Sequence, residues 1–206
     1  MINHNEKYWK NFYSCSKEVP AQPSDFALYA LRFLKNLPVS GSEINIIDLG
    51  CGNGRDSYFF SSEGYNVTAV DPSSKIVTNK FQFFRRDFFD VELNGFDVYY
   101  LRFVIHTLVE SDFDKLLEKL SLLRSDSLIM FETRSTTGIT KEEKKETFFS
   151  SPIGHEHFRM LYSKRYLDEK LRNSFVVIES SDSLNVATFK SENPFCLRYI
   201  IRPLGE

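Results

Sequence analysis

The stretch from Ile44 to Asp56 reads Ile-Asn-Ile-Ile-Asp-Leu-Gly-Cys-Gly-Asn-Gly-Arg-Asp. Its first half is a short aliphatic run rich in β-branched residues, which predicts a buried strand. The run stops at an acid and at three glycines on alternate positions, Gly50, Gly52 and Gly54. Glycines allow positive φ and close approach of a ligand to the backbone, and the amides at a helix N-terminus favour an electron-rich partner. The stretch therefore predicts a strand, a tight turn and a helix start that bind a nucleotide-like ligand.

The spacing of the glycines distinguishes two kinds of nucleotide. A dinucleotide fingerprint reads G-x-G-x-x-G, and its third glycine packs helix against strand. This chain has G-x-G-x-G, preceded by Asp48 at the end of the predicted strand. The segment Asp48–Gly54 resembles motif I of the class I S-adenosylmethionine-dependent methyltransferases, matching its acid and all three glycines. This resemblance implies S-adenosylmethionine as cofactor and S-adenosylhomocysteine as product.

Length, composition and charge limit the number of domains and the kinds of partner. The chain has 206 residues, 42% of them apolar, which suffices for one domain with a sizeable core and is too short for two ordinary ones. We expect a single methyltransferase domain over 1–206, with N-terminal helices in 1–40 and a cofactor-binding core in 41–206. The net charge of −2, with both signs interspersed, argues against nucleic acid as a partner.

Cysteine usage bears on location. Cys15, Cys51 and Cys196 are far apart and lack metal-ligand spacing, so they predict neither a disulfide framework nor a zinc site. No apolar run approaches the length of a membrane span, and the first residues lack the apolar core of a signal peptide. We expect a cytoplasmic protein.

Two helices are predicted ahead of the glycine loop. Residues 5–15 carry aromatic side chains at helical spacing, namely Tyr8, Trp9, Phe12 and Tyr13. These aromatics either pack in the core or form a lid over the ligand. Ser24 with Asp25 is expected to cap a second helix, which runs toward Pro38.

Acids end the next two predicted strands. Strand two, 66–70, ends at Asp71-Pro72, where a carboxylate can accept both hydroxyls of an adenosine ribose; the alternative is a cap for a short helix that continues to Asn79. Strand three, 81–86, ends at Asp87-Phe88. In the resembled family the acid faces the adenine amine and its neighbour covers the ring; the alternative is an ion pair of Asp87 with Arg85 or Arg86.

The rest of the chain alternates strands and helices. We predict strands at 96–101 and 127–132 around a helix that Ser111 or Asp112 caps and that ends at Leu123, then a helix at 163–172 and strands at 174–180 and 194–202. The charged run 141–146 predicts a solvated helix face or a mobile insertion. The fold class is α/β, a Rossmann-like, doubly wound, mostly parallel seven-stranded sheet with a C-terminal antiparallel hairpin.

The resemblance to class I methyltransferases extends over essentially the whole chain. It implies these cofactor contacts: Asp48, Gly50, Cys51, Gly52, Asn53, Gly54, Asp71, Pro72, Asp87, Phe88 and Leu101. The segments 52–57, 101–106 and 131–136 look like bacterial methyltransferases associated with surface-polysaccharide modification. The chain departs from that pattern between Thr137 and Met160, which leaves the acceptor open.

His106 is the candidate general base. Methyl transfer from a sulfonium to oxygen is an in-line displacement, in which alignment dominates and no covalent intermediate is needed. A hydroxyl nucleophile gains from losing its proton, and histidine is suited to accept it. His106 follows strand four, on the side of an open sheet where ligands bind. The alternative is a histidine that is satisfied within a short helix.

Charged residues on the same rim are candidates for the acceptor side. Arg102 would share the face of His106 if that segment is helical, and Glu132 and Arg134 end strand five. We assign Arg102 and Glu132 to catalysis and Arg134 to the acceptor, the alternative being a structural ion pair of Glu132 with either arginine. His155, His157 and Arg159 are predicted acceptor contacts, and we expect no metal because no third ligand follows the two histidines.

These features predict an O-methyltransferase that acts on a sugar or related small polar metabolite in surface-polysaccharide biosynthesis. A nucleic-acid base N-methyltransferase is disfavoured, since the Asn/Asp-Pro-Pro-aromatic segment is absent after strand four, where the chain reads Leu-Arg-Phe. Two alternatives stay open. One is an NAD-dependent oxidoreductase; the other is a non-catalytic partner subunit that keeps the fold as a scaffold.

Overall fold

The computed structural model describes residues 5–14, 21–150, 156–188 and 192–205. In these residues the helices are α1 Glu6–Ser14, α2 Asp25–Leu34, α3 Arg55–Ser62, α4 Glu110–Ser121 and α5 Lys164–Leu171. The strands are β1 Asn45–Leu49, β2 Asn66–Val70, β3 Gln82–Phe84, β4 Val98–Arg102, β5 Leu128–Arg134, β6 Lys144–Ser150, β7 Glu156–Tyr162, β8 Phe175–Ser183 and β9 Cys196–Pro203. Short 3₁₀ turns lie at Gly41–Glu43, Phe88–Asp90 and Ile105–Thr107.

The main sheet has the strand order β3-β2-β1-β4-β5-β9-β8. The first five strands in this order are parallel, and β9 lies antiparallel to both β5 and β8. This confirms the predicted doubly wound sheet with its closing hairpin. The order reverses between β1 and β4, so the carboxyl ends of these two strands form the crevice in which open α/β sheets bind ligands.

Apolar side chains alternate between the two faces of the sheet. On β4, Val98 and Tyr100 pack in one buried cluster with α2 and α3, whereas Tyr99 and Leu101 pack in the other with α4 and α5. Because successive residues of a strand point to opposite faces, a sheet covered on both sides needs this nearly continuous apolar pattern. No helix in the described ranges is long and apolar enough to cross a membrane.

A buried polar network joins α2, α3 and β4 beneath the crevice. Ser24 caps α2, as predicted, by accepting a hydrogen bond from the amide of Ala27 at 3.0 Å. Its own amide and hydroxyl donate to Asp56 of α3 at 2.8 and 2.7 Å. The hydroxyl of Tyr100 donates to the same carboxylate at 2.8 Å. Asp56 therefore fixes the start of α3, and with it the glycine loop, against β4.

Several predictions of local structure were wrong. Residues 73–79 form no helix, because Asp71 folds the chain after β2 into a turn by accepting the amides of Ser73 and Ser74. Helix α4 begins at Glu110 after Val109, whose side chain makes no capping bond, so neither Ser111 nor Asp112 is the cap.

The charged run 141–146 was also misassigned as a helix face or mobile insertion. Residues 144–150 form β6, which pairs antiparallel with β7 in a separate two-stranded sheet. The ladder continues through Thr147 and Phe148, whose side-chain types favour strands. Pairing with the next strand along the chain thus overrode the local charge pattern.

Candidate active site

The glycine loop follows β1 and enters α3. Gly50, Gly52 and Gly54 all have positive φ, at 75°, 59° and 76°. A Cβ on Gly50 would meet the side chain of Val104 at 2.5 Å, and one on Gly54 would meet Ile76 at 2.7 Å. These two glycines therefore let neighbouring side chains, rather than a ligand, pack against the loop. A Cβ on Gly52 would meet the ring of Tyr13, with its Cζ at 2.8 Å.

Buried acids surround this loop. Asp48 is 2% exposed and accepts a hydrogen bond from the hydroxyl of Ser57 at 2.5 Å. Burial, opposed by this hydrogen bond and aided by the nearby Asp56 and Asp71, raises the pKa of Asp48 to about 8. Burial also raises the pKa of Asp71 and that of the Cys51 thiol. The loop therefore presents carboxyl groups whose charged forms are disfavoured by burial.

Asp71 holds two backbone segments together. It accepts the amide of Gly52 at 3.0 Å and the amides of Ser73 and Ser74 at 2.8 and 3.0 Å. Asp71 thus caps a turn at Ser73 and Ser74, as in the alternative role predicted for it, although no helix follows that turn. Because one carboxylate oxygen faces Gly52, Asp71 also lies at the glycine loop, as a ribose-binding acid would.

The other predicted cofactor contacts lie in different surroundings. Asp87 caps the turn after β3 by accepting the amide of Phe89 at 3.0 Å, while Arg85 donates to the carbonyl of Pro72 at 3.4 Å. Asn53 accepts from the amide of Arg55 at 3.5 Å within the loop itself. The side chains of Phe88 and Leu101 are buried in the apolar core.

Helix α1 spans the crevice. Tyr13 lies over Gly52, and burial together with Asp71 and Cys51 raises the pKa of its hydroxyl. At the other end of the helix, Asn5 donates to the carbonyl of Phe158 at 3.0 Å and accepts its amide at 2.8 Å. The amide side chain of Asn5 thus mimics a strand partner of β7. Sequence reasoning missed Asn5, since a lone asparagine carries no signal of so distant a partner.

The loop after β4 forms the opposite wall of the crevice. Phe103 has a positive φ of 60°, a conformation that is uncommon for a bulky residue. The guanidinium of Arg102 lies 4.3 Å from the centre of its ring, and that of Arg134 lies 5.6 Å away. The positive φ of Phe103 therefore places its ring against the guanidinium groups of Arg102 and Arg134. Residues in such uncommon backbone conformations cluster at functional sites.

His106 lies in the 3₁₀ turn that follows, so it does not share a helical face with Arg102, which belongs to β4. Its imidazole is 2% exposed, and Nδ1 lies 3.4 Å from the hydroxyl of Thr133. Burial, then Arg159 and Arg134, lower the pKa of His106 well below its ordinary value. The ring is therefore neutral near pH 7, which a proton acceptor requires.

Glu132 is the centre of a buried ion-pair network. Its side chain is fully buried, and Oε1 lies 3.1 Å from Nε of Arg102. Arg198 of β9 donates from Nε to Oε2 at 2.7 Å, and its Nη2, which donates to the carbonyl of Val186, also lies 2.7 Å from Oε2. The alternative structural pair with Arg102 is therefore confirmed, whereas Arg134 pairs with Glu192 instead. Arg198 was missed because only the register of β5 on β9 places it opposite Glu132.

The predicted acceptor residues meet near His106. Arg159 donates from Nε to Nε2 of His157 at 2.9 Å, and its Nη1 lies 3.9 Å from the Glu192 carboxylate. His157 stacks on Tyr8 of α1 with ring centres 3.9 Å apart. His155 lies outside the described residues. Within the described ranges, no group of three His, Cys, Asp or Glu side chains is placed to hold a metal ion.

A family model described as a methyltransferase domain matches residues 22–176 of this chain. No curated protein matches it. Among solved structures, it is similar to Burkholderia thailandensis 1,6-didemethyltoxoflavin-N1-methyltransferase with bound 1,6-didemethyltoxoflavin and S-adenosylhomocysteine, with 17% identity, a TM-score of 0.71, and coverage of 96% of this chain and 86% of that chain.

Two further structures are similar. The DhpI-SAM-HEP complex has 18% identity and a TM-score of 0.62, over 98% of this chain and 97% of that one. The glycopeptide N-methyltransferase MtfA complexed with S-adenosyl-L-methionine has 14% identity and a TM-score of 0.60, over 86% and 94%. At these identities the likeness shows the fold.

Proposed function

Because the chain belongs to the methyltransferase-domain family, we propose that it is an S-adenosylmethionine-dependent O-methyltransferase of a sugar or related small polar metabolite. The observation that carries the proposal is the crevice between β1 and β4. A glycine loop with buried acids forms one wall of it, and a loop leading to a buried, neutral His106 forms the other. A place in surface-polysaccharide biosynthesis and a cytoplasmic location are parts of the same proposal, and both rest on the sequence alone.

The donor set fits this cofactor. When bound, S-adenosylmethionine supplies a methyl group on a cationic sulfonium, and it also carries an ammonium group. Burial raises the pKa of Asp48 and of Asp71, although Arg102 opposes the shift at Asp48, so a bound cationic group would stabilise the charged forms of both carboxyl groups. We assign the ribose hydroxyls to Asp71 and the adenine amine to Asp87. Structures of similar fold that contain S-adenosylhomocysteine or S-adenosyl-L-methionine support this assignment.

His106 is assigned the role of general base toward an acceptor hydroxyl. The lowered pKa leaves its imidazole unprotonated at neutral pH, ready to accept the proton as the oxygen attacks. Arg102 and Glu132 position the rim of the site, since their ion pair ties the end of β4 to β5. Two structural neighbours are N-methyltransferases, and that activity is stated of those proteins only. For this chain we propose an oxygen acceptor, whose hydroxyl proton the buried His106 would remove.

The N-terminal helix is assigned the role of a lid within a single domain. Tyr13 lies against Gly52 at the glycine loop, and Tyr8 stacks on His157 on the acceptor side. One helix therefore contacts both halves of the crevice. Such a lid excludes water from the reacting groups when both ligands are present.

The test combines S-adenosylhomocysteine calorimetry with methyl transfer from labelled S-adenosylmethionine. Gly52→Ala places a methyl group against Tyr13, so we expect it to weaken S-adenosylhomocysteine about tenfold or more. Gly95→Ala is the matched control, because Gly95 also has positive φ, at 94°, yet a Cβ there meets nothing within 4 Å. Comparable thermal stability of the two variants would separate the site effect from backbone strain.

Each alternative has its own outcome in these measurements. Binding of NAD without binding of S-adenosylhomocysteine would identify an oxidoreductase and overturn the proposal. Binding of neither would favour the non-catalytic scaffold. Binding of S-adenosylhomocysteine with methyl transfer to a nitrogen atom of the product would retain the family activity and reject the hydroxyl acceptor.

A further inference from the structure

Four buried arginine side chains on β4, β5, β7 and β9 take part in ion pairs: Arg102, Arg134, Arg159 and Arg198. Their side chains are all at least four-fifths buried, with exposures of 20%, 14%, 10% and 8%. Buried cations require anionic partners, since the protein interior does not solvate them as water does. Two carboxylates, those of Glu132 and Glu192, pair with these arginines.

Glu132 is committed to structural pairing. It is fully buried and is shared between Arg102 and Arg198, at distances of 2.7 to 3.1 Å. Each partner sits at a fixed position on a paired strand of the main sheet. Because the Glu132 carboxylate is fully buried on a central paired strand, it cannot turn toward solvent, and it is therefore not available for exchange with a ligand.

Glu192 differs from Glu132 in its exposure and in its place in the fold. Its side chain is 26% exposed and lies outside the named strands, in the connection between β8 and β9. It faces Arg134 closely, whereas its distance to Arg159 is 3.9 Å, near the upper limit for an ion pair. Burial and then the neighbouring Arg134 lower the pKa of Arg159 to about 10, and the Glu192 carboxylate opposes this shift.

The place that Glu192 occupies adjoins the proposed base. Arg134 directly follows Thr133, and the Thr133 hydroxyl lies 3.4 Å from Nδ1 of His106. The guanidinium of Arg134 lies 5.6 Å from the centre of the Phe103 ring. That ring is 5.2 Å from the imidazole of His106, centre to centre. An anion seated at Arg134 and Arg159 would therefore place the remainder of a small molecule beside His106.

We propose that the acceptor carries an anionic group, a carboxylate or a phosphate monoester, which binds Arg134 and Arg159 in place of the Glu192 carboxylate. The planar guanidinium groups of two arginines can bind either anion. The Glu192 carboxylate already pairs with both arginines, so a carboxylate fits between them. In the absence of acceptor, Glu192 stabilises the two cations; when the acceptor binds, this side chain turns toward solvent. The inference rests on the proposed function and narrows its acceptor to sugar acids, sugar phosphates and similar anions.

The first experiment is calorimetry on protein saturated with S-adenosylhomocysteine. Its arms are D-glucuronate, D-glucose 6-phosphate, acetate and inorganic phosphate, with D-glucose as the neutral control. We expect at least one anion to bind about tenfold or more tightly than glucose, a difference that one charge-assisted contact can supply. The carboxylate and phosphate arms identify the anion. If S-adenosylhomocysteine binds and no anion exceeds glucose, this inference is overturned while the proposed function stands.

Variants test the exchange of Glu192. Arg159→Gln should weaken the favoured anion about tenfold or more while leaving S-adenosylhomocysteine affinity unchanged. Glu192→Gln should strengthen the same anion, because it removes the competing carboxylate, and a merely structural role would not produce that gain. Arg165→Gln on α5 is the control, since Arg165 is 77% exposed and pairs only with Glu169 among the ion pairs of the described residues. Weaker anion binding in Glu192→Gln at unchanged thermal stability would overturn the exchange.

Discussion

At the scale of single residues, environment decides what His106 does. The histidine is buried among Arg159, Arg134 and Arg102, and both burial and these charges disfavour its protonated form. Nothing in the local sequence Val-Ile-His-Thr reports that environment, because the arginines come from β4, β5 and β7. The lowered pKa makes the imidazole a weak base in strength but keeps it fully unprotonated at neutral pH.

The pH dependence of the rate follows from this shift. Since the pKa of His106 in the folded enzyme lies well below 6.5, kcat/KM should stay on its plateau as the pH falls through 6.5 and decline only at lower pH. His106→Ala should reduce kcat about 100-fold or more, remove that acid limb and leave S-adenosylhomocysteine affinity unchanged. Steady-state rates between pH 5 and 9 check this. An unchanged rate in the variant would eliminate His106 as the base.

At the scale of elements, a buried ion-pair network ties three strands together. Glu132 of β5 pairs with Arg102 of β4 and with Arg198 of β9, at neighbouring positions of one sheet. The network lies at the carboxyl end of β4, directly before the strained Phe103. A change in Glu132 therefore affects the stability of the sheet and the placement of the active-site loop together.

Glu132→Ala should lower the free energy of unfolding by about 3–5 kcal/mol, because it leaves two guanidinium groups buried without their shared carboxylate. The measurement is urea denaturation followed by far-ultraviolet circular dichroism. Glu169→Ala serves as the control: this glutamate pairs with Arg165 on the exposed face of α5, so its loss should cost about 0.5 kcal/mol or less. Equal losses in the two variants would show that the network contributes no more than a surface pair.

At the scale of the whole molecule, helix α1 connects parts that the sheet keeps separate. The glycine loop belongs to the β1–α3 unit, whereas His157 and Arg159 lie on β7 in the separate two-stranded sheet. Asn5, just before α1, is hydrogen-bonded to β7, and Tyr13 of α1 lies over Gly52, so this segment contacts both sides of the crevice. Cofactor binding under this helix is therefore expected to change how firmly it is held.

Hydrogen exchange tests this coupling. Saturating S-adenosylhomocysteine should slow amide exchange in α1, because ligand binding stabilises the closed arrangement by mass action. Exchange in α5, which lies outside the crevice, is the internal reference. Asn5→Ala removes both hydrogen bonds to Phe158 and should speed exchange in α1 with little change in α5. If S-adenosylhomocysteine leaves α1 exchange unaffected, α1 is not a lid.

The sequence by itself determined the succession of the main-sheet strands along the chain, the glycine loop and the closing hairpin, because these depend on local apolar periodicity and on the backbone freedom of glycine. It misread residues 73–79 and the run at 141–146, where Asp71 and the strand partner β7 overrode local preference. Only the tertiary structure decided that Glu132 belongs to Arg102 and Arg198, that Glu192 faces Arg134 and Arg159, and that Asn5 anchors α1. Such pairings join residues far apart in the chain, and their electrostatic strength comes from burial, which no local pattern encodes.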